Sequence, residues 1–138
     1  MSEAGALISY VDTIGEILKD VPAKFEANLR QIDHLEKETN DLIHALELLD
    51  VDEEQAAQYA TDIRKNRLER RRCKDENVVL KPLYDFIKLH PKLAKEMKTC
   101  HEETKRACKL LKGRFYNPRV RTDLIEKFEK AKEAQEHG

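Results

Sequence analysis

The chain has 138 residues, of which 40% are apolar, 38% charged and 6% aromatic, with no Trp and a formal net charge of −1. That balance excludes a global basic field for holding a polyanion, so any nucleic-acid affinity has to come from a local patch. So few aromatics also argue against a large spherical core and for layers of Leu, Ile and Val along long helices, in one ordinary domain or an elongated helical module.

The first predicted helix covers residues 3–19, where Leu7, Val11, Ile14 and Leu18 recur with helical period. Ser2 is a candidate cap, and Glu3 favours the first turn. This start has no basic region leading into an apolar core and a small-residue cleavage site, so it does not read as a secretory leader. Asp20-Val21-Pro22 is expected to end the helix, because the residue before a proline avoids the α region. A second helix then starts at Pro22, with the stripe Phe25, Leu29, Ile32, Leu35, Thr39, Leu42, Leu46, Leu49. From Ile32 its steps alternate between three and four, which is heptad spacing.

Asp50-Val51-Asp52 breaks that pattern, and Asp52 with Gln55 matches a capping box. The third helix is expected over Glu53–Lys81, with Tyr59, Ile63, Asn66, Arg70, Cys73, Asn77 and Leu80 at its heptad positions. Half of that seam is polar, which costs stability but fixes register. Pro82 should kink or end it. Residues 83–89 resume an apolar turn, His90-Pro91 breaks again, and a fourth helix carries Leu93, Met97, Cys100, Thr104, Cys108 and Leu111. Gly113 is a natural C-terminal cap. Residues 114–121 read as a loop, Thr122 as the cap of a short final helix with Leu124, Ile125 and Phe128 on one side, and the closing AKEAQEHG as frayed. The expected fold is all-α: an antiparallel helical hairpin or bundle with coiled-coil-like long helices. It forms one domain over 1–138, divided into an N-terminal helix (1–21), a charged hairpin (22–81) and C-terminal helices with the 114–121 loop (82–138).

Two opposed charge blocks dominate the hairpin. Asp33, Glu36, Glu38, Asp41, Glu47, Asp50, Asp52, Glu53 and Glu54 stand against the single base Lys37, while Arg64, Lys65, Arg67, Arg70, Arg71, Arg72 and Lys74 stand against the single acid Glu69. Folding back at Asp50–Asp52 sets residues whose numbers sum to about 102 opposite each other, with Glu38 near Arg64, Leu35 near Arg67 and Asp33 near Arg70. On one helix face, Arg64, Arg67, Arg70, Arg71 and Lys74 fall within roughly 120°. That stripe either pairs with the acidic helix, recruits a protein, or tracks phosphates. A second binding candidate is the 114–121 loop, where Arg114, Phe115, Tyr116, Arg119 and Arg121 combine residue types enriched at interface hot spots. Its alternative role is that of a connector whose aromatics plug helix ends.

Signals for chemistry are sparse. There is no Cys-x-x-Cys, no phosphate loop and no nucleophile elbow. Asp41-x-x-His44 is half of a dimetal motif without its second half. Cys73, Cys100 and Cys108 read as packing residues with reduced thiols in a cytoplasmic chain. No apolar run approaches the roughly 20 residues that span a bilayer, and the first helix has too few bases to be a membrane binder. No catalytic residue, metal or cofactor is therefore expected.

Arg70-Arg71-Arg72-Cys73-Lys74-Asp75, leading to Leu80-Lys81-Pro82-Leu83, and Arg114-Phe115-Tyr116-Asn117-Pro118-Arg119-Val120 resemble segments of small helical proteins of Gram-positive phages and prophages. Those proteins share an Arg-Arg-x-x-Lys-Asp run and a later Arg-x-Tyr-x-Pro-Arg segment. The resemblance covers roughly the second half of the chain and transfers no activity to single residues. It implies a context in which such proteins bind a host or phage protein, defence nucleases included. The expectation is a non-enzymatic protein-binding inhibitor or adaptor acting by occlusion, as a homodimer through helix one or the helix-two seam, since the apolar seams exceed what one hairpin buries. The competing expectation is a small nucleic-acid-binding regulator that uses Arg64, Arg67, Arg71 and Lys74.

Overall fold

The structure, a computed structural model, describes residues 3–137, with side chains from 5 to 136. It contains α1 (Glu3–Leu48), α2 (Glu53–Leu89), α3 (Leu93–Lys112), a 3-10 turn (Thr122–Leu124) and α4 (Ile125–His137). No strand occurs among the described residues. The fold is an all-α antiparallel hairpin and bundle; the expected cap at Ser2 lies outside the described residues.

The break expected at Pro22 is absent. α1 runs through it as one helix of 46 residues, about 69 Å long at 1.5 Å per residue. An interior proline loses one backbone hydrogen bond and crowds the preceding turn, at about 3 kcal/mol. Here Pro22 is half-buried and lines a groove with Leu18, Ile87, His90, Pro91 and Ala94, so tertiary packing offsets the local penalty. α2 likewise continues through Pro82 to Leu89. Its seam residues Leu80, Tyr84 and Ile87 carry on past the proline, while Pro82 itself faces solvent.

The turn between the two long helices is closed by the expected capping box. Gln55 N donates to Asp52 Oδ1 at 2.7 Å, and Asp52 N donates to Gln55 Oε1 at 3.3 Å. From there α2 lays Tyr59, Ile63, Asn66, Arg70, Cys73, Asn77 and Leu80 inward, each buried or half-buried. On α1 Phe25, Ile32, Leu35, Thr39 and Leu42 face them, whereas Leu29, Leu46 and Leu49 of the same expected stripe are exposed.

The seam is thin and polar. Among the described residues the buried apolar side chains are Leu35 and Cys73, and the buried polar ones are Asn28, Thr39, Asn66 and Asn77. Asn28 Nδ2 donates to Asn77 Oδ1 and to Glu76 Oε2, both at 2.9 Å, and Asn77 Nδ2 donates to Phe25 O at 3.2 Å. Just beyond, Phe25 stacks on Tyr84 with ring centroids 4.0 Å apart.

α2 ends where the His90 N–H bonds back to Ile87 O, and α3 resumes after Pro91. α3 does not turn away. Ala94, Met97, Lys98 and His101 line a groove with Val11, Asp12, Gly15, Glu16 and Lys19 of α1. α2 and α3 thus make one broken rod, antiparallel to α1.

Gly113 occupies the C-cap of α3 with φ −93°, so the left-handed form of that cap is not used. Thr122 opens the 3-10 turn rather than capping α4, and Arg121 beside it bonds Asp123. The segment expected to fray is helical to His137, held by Gln135 Nε2 donating to Lys112 O at 2.9 Å.

Asn77→Ala removes two of the amide bonds and leaves the buried Asn28 with Glu76 alone. It should cost about 1–3 kcal/mol, read as a lower urea midpoint with an unchanged slope.

Candidate interaction site

The charge blocks meet close to the register expected, since the 25–77 and 24–76 contacts sum to 102 and 100, but the ion partners are not the ones expected. Other cross-hairpin pairs join 28 to 77 and 36 to 70, whose numbers sum to 105 and 106. Arg70 Nε bonds Glu36 Oε1 at 2.7 Å, and not Asp33. Asp33 pairs with Lys37 one turn away, and Glu38 with His34. Arg72 grips Glu69 and Glu76 of its own helix. Local pairs at i,i+3 and i,i+4 require no exact alignment between helices, and they satisfy much of the charge within each helix.

The remaining cations of the block are left over. Arg64, Lys65, Arg67 and Arg71 are exposed and Lys74 is half-buried. None forms an ion pair among the described residues. At 100° per residue, Arg67, Arg70, Arg71 and Lys74 lie on the side of the hairpin marked by the Glu36–Arg70 and Glu26–Lys88 pairs. Arg64, one heptad before Arg71, lies about 20° from it on the same side. The acids Asp33 and Glu47 lie along the outer edge of α1, so the hairpin is basic along one edge and acidic along the other.

The 114–121 loop divides its residues between support and exposure. Phe115 is half-buried beneath Lys132, whose Nζ sits 5.6 Å from the ring centroid. Tyr116 packs edge-on against Phe128 at 5.5 Å between centroids, yet keeps most of its surface exposed. Arg121 is tied to Asp123. Arg114, Arg119 and Val120 are exposed. The connector role and the presenting role coexist: Phe115 anchors the loop, while Tyr116, Arg119 and Val120 face outward. The structure places this loop at the end of α3, apart from the α2 arginines.

The stripe expected on the first helix divides: Val11 and Leu18 are half-buried toward α3, whereas Leu7 and Ile14 are exposed. Leu7, Tyr10, Ile14 and Ile17 form a second row on α1, about 100° around the helix from the α3-facing row Ile8, Val11, Gly15 and Leu18. Val79, Leu83 and Phe86 are set off by about the same angle from the α2 seam. Because the helices are antiparallel, both rotations lead to one side, the side marked by the Lys24–Glu76 pair. These seven side chains are 40–78% exposed. The groove lined by Leu35, Asn66, Glu69 and Arg72 opens on the same side, and Asn66 Nδ2 is buried there without a hydrogen-bond partner.

Several carboxylates are tuned by these contacts. Lys88 and Tyr84 bond to Glu26 and hold its carboxyl below the ordinary value of 4.5. The Asn28 amide, aided by Arg72 and Lys24, does the same for Glu76, and Arg72 does so for Glu69. His101 Nε2 lies 2.8 Å from Asp12 Oδ1 but is misaligned for a hydrogen bond.

Cys73 is fully buried in the seam, where a thiol is inert. Among the described residues no group of His, Cys, Asp and Glu is placed to hold a metal ion, and Asp41 and His44 are both exposed. Among the same residues, no helix is long and apolar enough to cross a membrane. Comparison with family models, with curated proteins and with solved structures finds no match for this chain.

Charge reversal at Arg67 or Arg71 should change stability by less than about 0.5 kcal/mol. Arg70→Ala should cost about 1 kcal/mol, with chemical denaturation as the readout. The acid limb follows from Glu26, Glu69 and Glu76. Their folded pKa values lie below 4.5, so the stability they contribute is complete above that pH and is lost as pH falls through the depressed values. Melting temperature should be flat from neutral pH down to about 5 and fall below 4.5, and Glu76→Gln should weaken that fall.

Proposed function

We propose that the chain is a non-enzymatic protein-binding module, an inhibitor or adaptor that works in the cytoplasm by occluding a surface of another protein. The observation that carries this reading is the set of unpaired cations Arg64, Arg67, Arg71 and Lys74 on a rigid helix whose neighbour is acidic. Such a dipolar edge steers a partner of matching polarity and fixes its orientation. The outward Tyr116 and Arg119 of the loop are anchor types. The resemblance of the 70–83 and 114–120 segments to small phage proteins supports a phage origin and a host or phage protein as the target.

A nucleic-acid regulator is the second reading, favoured by the same free cations on one side of α2. The acids of α1 weigh against it. Packed helices lie about 8–10 Å apart, which is close to the screening length at physiological salt of about 8 Å. A phosphate backbone on the basic edge would therefore feel the acidic edge too.

The test is affinity capture from a host lysate with the wild type, Arg67→Glu/Arg71→Glu and Tyr116→Ala/Arg119→Glu, all checked for equal melting temperature. One protein captured by the wild type and lost with either variant is the expected result. Capture unaffected by both variants contradicts the assigned surface. Submicromolar binding to labelled DNA or RNA that weakens steeply with salt would replace the protein reading with the second.

A further inference from the structure

The apolar side of the hairpin has one occupant that the surface itself specifies. The chain exposes 11329 Å². A compact monomer of its 16.1 kDa exposes about 7,400 Å² by the usual mass scaling. The excess is about 3,900 Å² per chain, more than the roughly 1,000–2,500 Å² that each partner gives to an obligate homodimer interface, a contact that resembles a domain core cut in half. Half a core is what this chain presents: Leu35 and Cys73 are the buried apolar side chains among the described residues, whereas Leu7, Tyr10, Ile14, Ile17, Val79, Leu83 and Phe86 stand exposed on one side.

The spacing of the row fits another helix. Leu7, Tyr10, Ile14, Ile17 and Val21 step by three and four, the pattern that seats against a facing helix, and no charged residue interrupts it. Val21, half-buried, ends the row next to Pro22. On α3 the half-buried Leu93 and the exposed Cys100 lie on the same side, so the patch spans both rods. Glu96 and Glu103 share that α3 row, so the uncharged part of the patch is α1 7–21 with α2 79–86, and a two-fold axis perpendicular to it would lay each copy's row against the other's. A foreign partner would leave the free protein with almost no core; a second copy completes it at synthesis.

We infer that two copies of this chain pack through this side into a four-rod homodimer, with α1 residues 7–21 and α2 residues 79–86 at its centre. The basic edge and the 114–121 loop remain outside the contact, so the inference stands independently of the proposed partner.

The test is mass by light scattering and sedimentation across a dilution series of the full chain, from about 100 µM downward, with melting temperature followed over the same range. The expected mass is twice 16.1 kDa, with a melting temperature that falls on dilution. Ile14→Glu/Phe86→Glu alters side chains exposed in the single chain and should raise the dissociation constant by at least about 100-fold. Lys81→Glu, on the opposite side, should leave the mass unchanged. A wild type that stays at the monomer mass at the highest concentration, or a dimer indifferent to Ile14→Glu/Phe86→Glu, overturns the inference. If that variant fails to fold, the wild type decides through amide exchange: protection over residues 7–21 that is lost on dilution supports the interface, and concentration-independent protection overturns it.

Discussion

The contact on which the rest of the structure depends is the buried amide pair Asn28–Asn77, completed by Phe25 O and Glu76. Leu and Ile in a seam tolerate sliding, because one methyl packs nearly as well as the next. Amides do not, since a slipped Asn leaves donors and acceptors buried without partners. With 28 set against 77, Phe25 stacks on Tyr84, Tyr84 bonds Glu26, and Lys88 reaches the same carboxylate. The capping box at Asp52 fixes the near end of the hairpin and the amides fix its middle. The alignment then carries past His90-Pro91, so that α3 arrives beside Val11 and Asp12 rather than in solvent.

A seam so polar leaves the protein with two sides of different chemistry. Where α1 faces α2 alone, the flanks are charged and largely self-satisfied within each helix. Where α1 faces the end of α2 and α3, one flank is apolar. The stability of a single hairpin of this kind rests on few buried apolar atoms, which is the usual condition of helices that complete their core by association. The basic edge plays no part in this: Arg70 serves the hairpin through Glu36, while Arg64, Arg67 and Arg71 hold no acid among the described residues.

Much of the architecture was legible in the residues. The 3.6-residue rows, the Asp52–Gln55 box and the polar seam of Asn66, Arg70, Cys73 and Asn77 can be read directly, because they depend on local spacing. Pro22 misled for a physical reason: its penalty is local, and the packing that outweighs it comes from residues more than sixty positions away, such as Ile87 and His90. The register was legible, but the ion partners misled, because i,i+4 pairs such as Asp33–Lys37 compete with cross-helix pairs and win without needing alignment. Of the candidate site, the clustering of the arginines on one face was legible and their freedom was not, since it depends on which acids Arg70 and Arg72 take. The apolar side was present in the sequence as Leu7, Tyr10, Ile14 and Ile17 at alternating steps. Leu7 and Ile14 group there with Val11 and Leu18, because the two rows have the same period and only the structure shows that Val11 and Leu18 are the ones that pack toward α3.

The most direct measurement of the central claim is an interspin distance distribution between labels at positions 38 and 65, which flank one groove across the hairpin, with Cys100 and Cys108 replaced by Ser. It is recorded for the Asn28/Asn77 protein and for Asn28→Leu/Asn77→Leu. The account predicts a single narrow distance with the amides. Without them it predicts added populations at longer distance, from helices slipped past each other by about 10.5 Å along their axes, the rise of one heptad. Equally narrow, identical distributions in both proteins would contradict it and would place control of the register in the turn and the apolar packing instead.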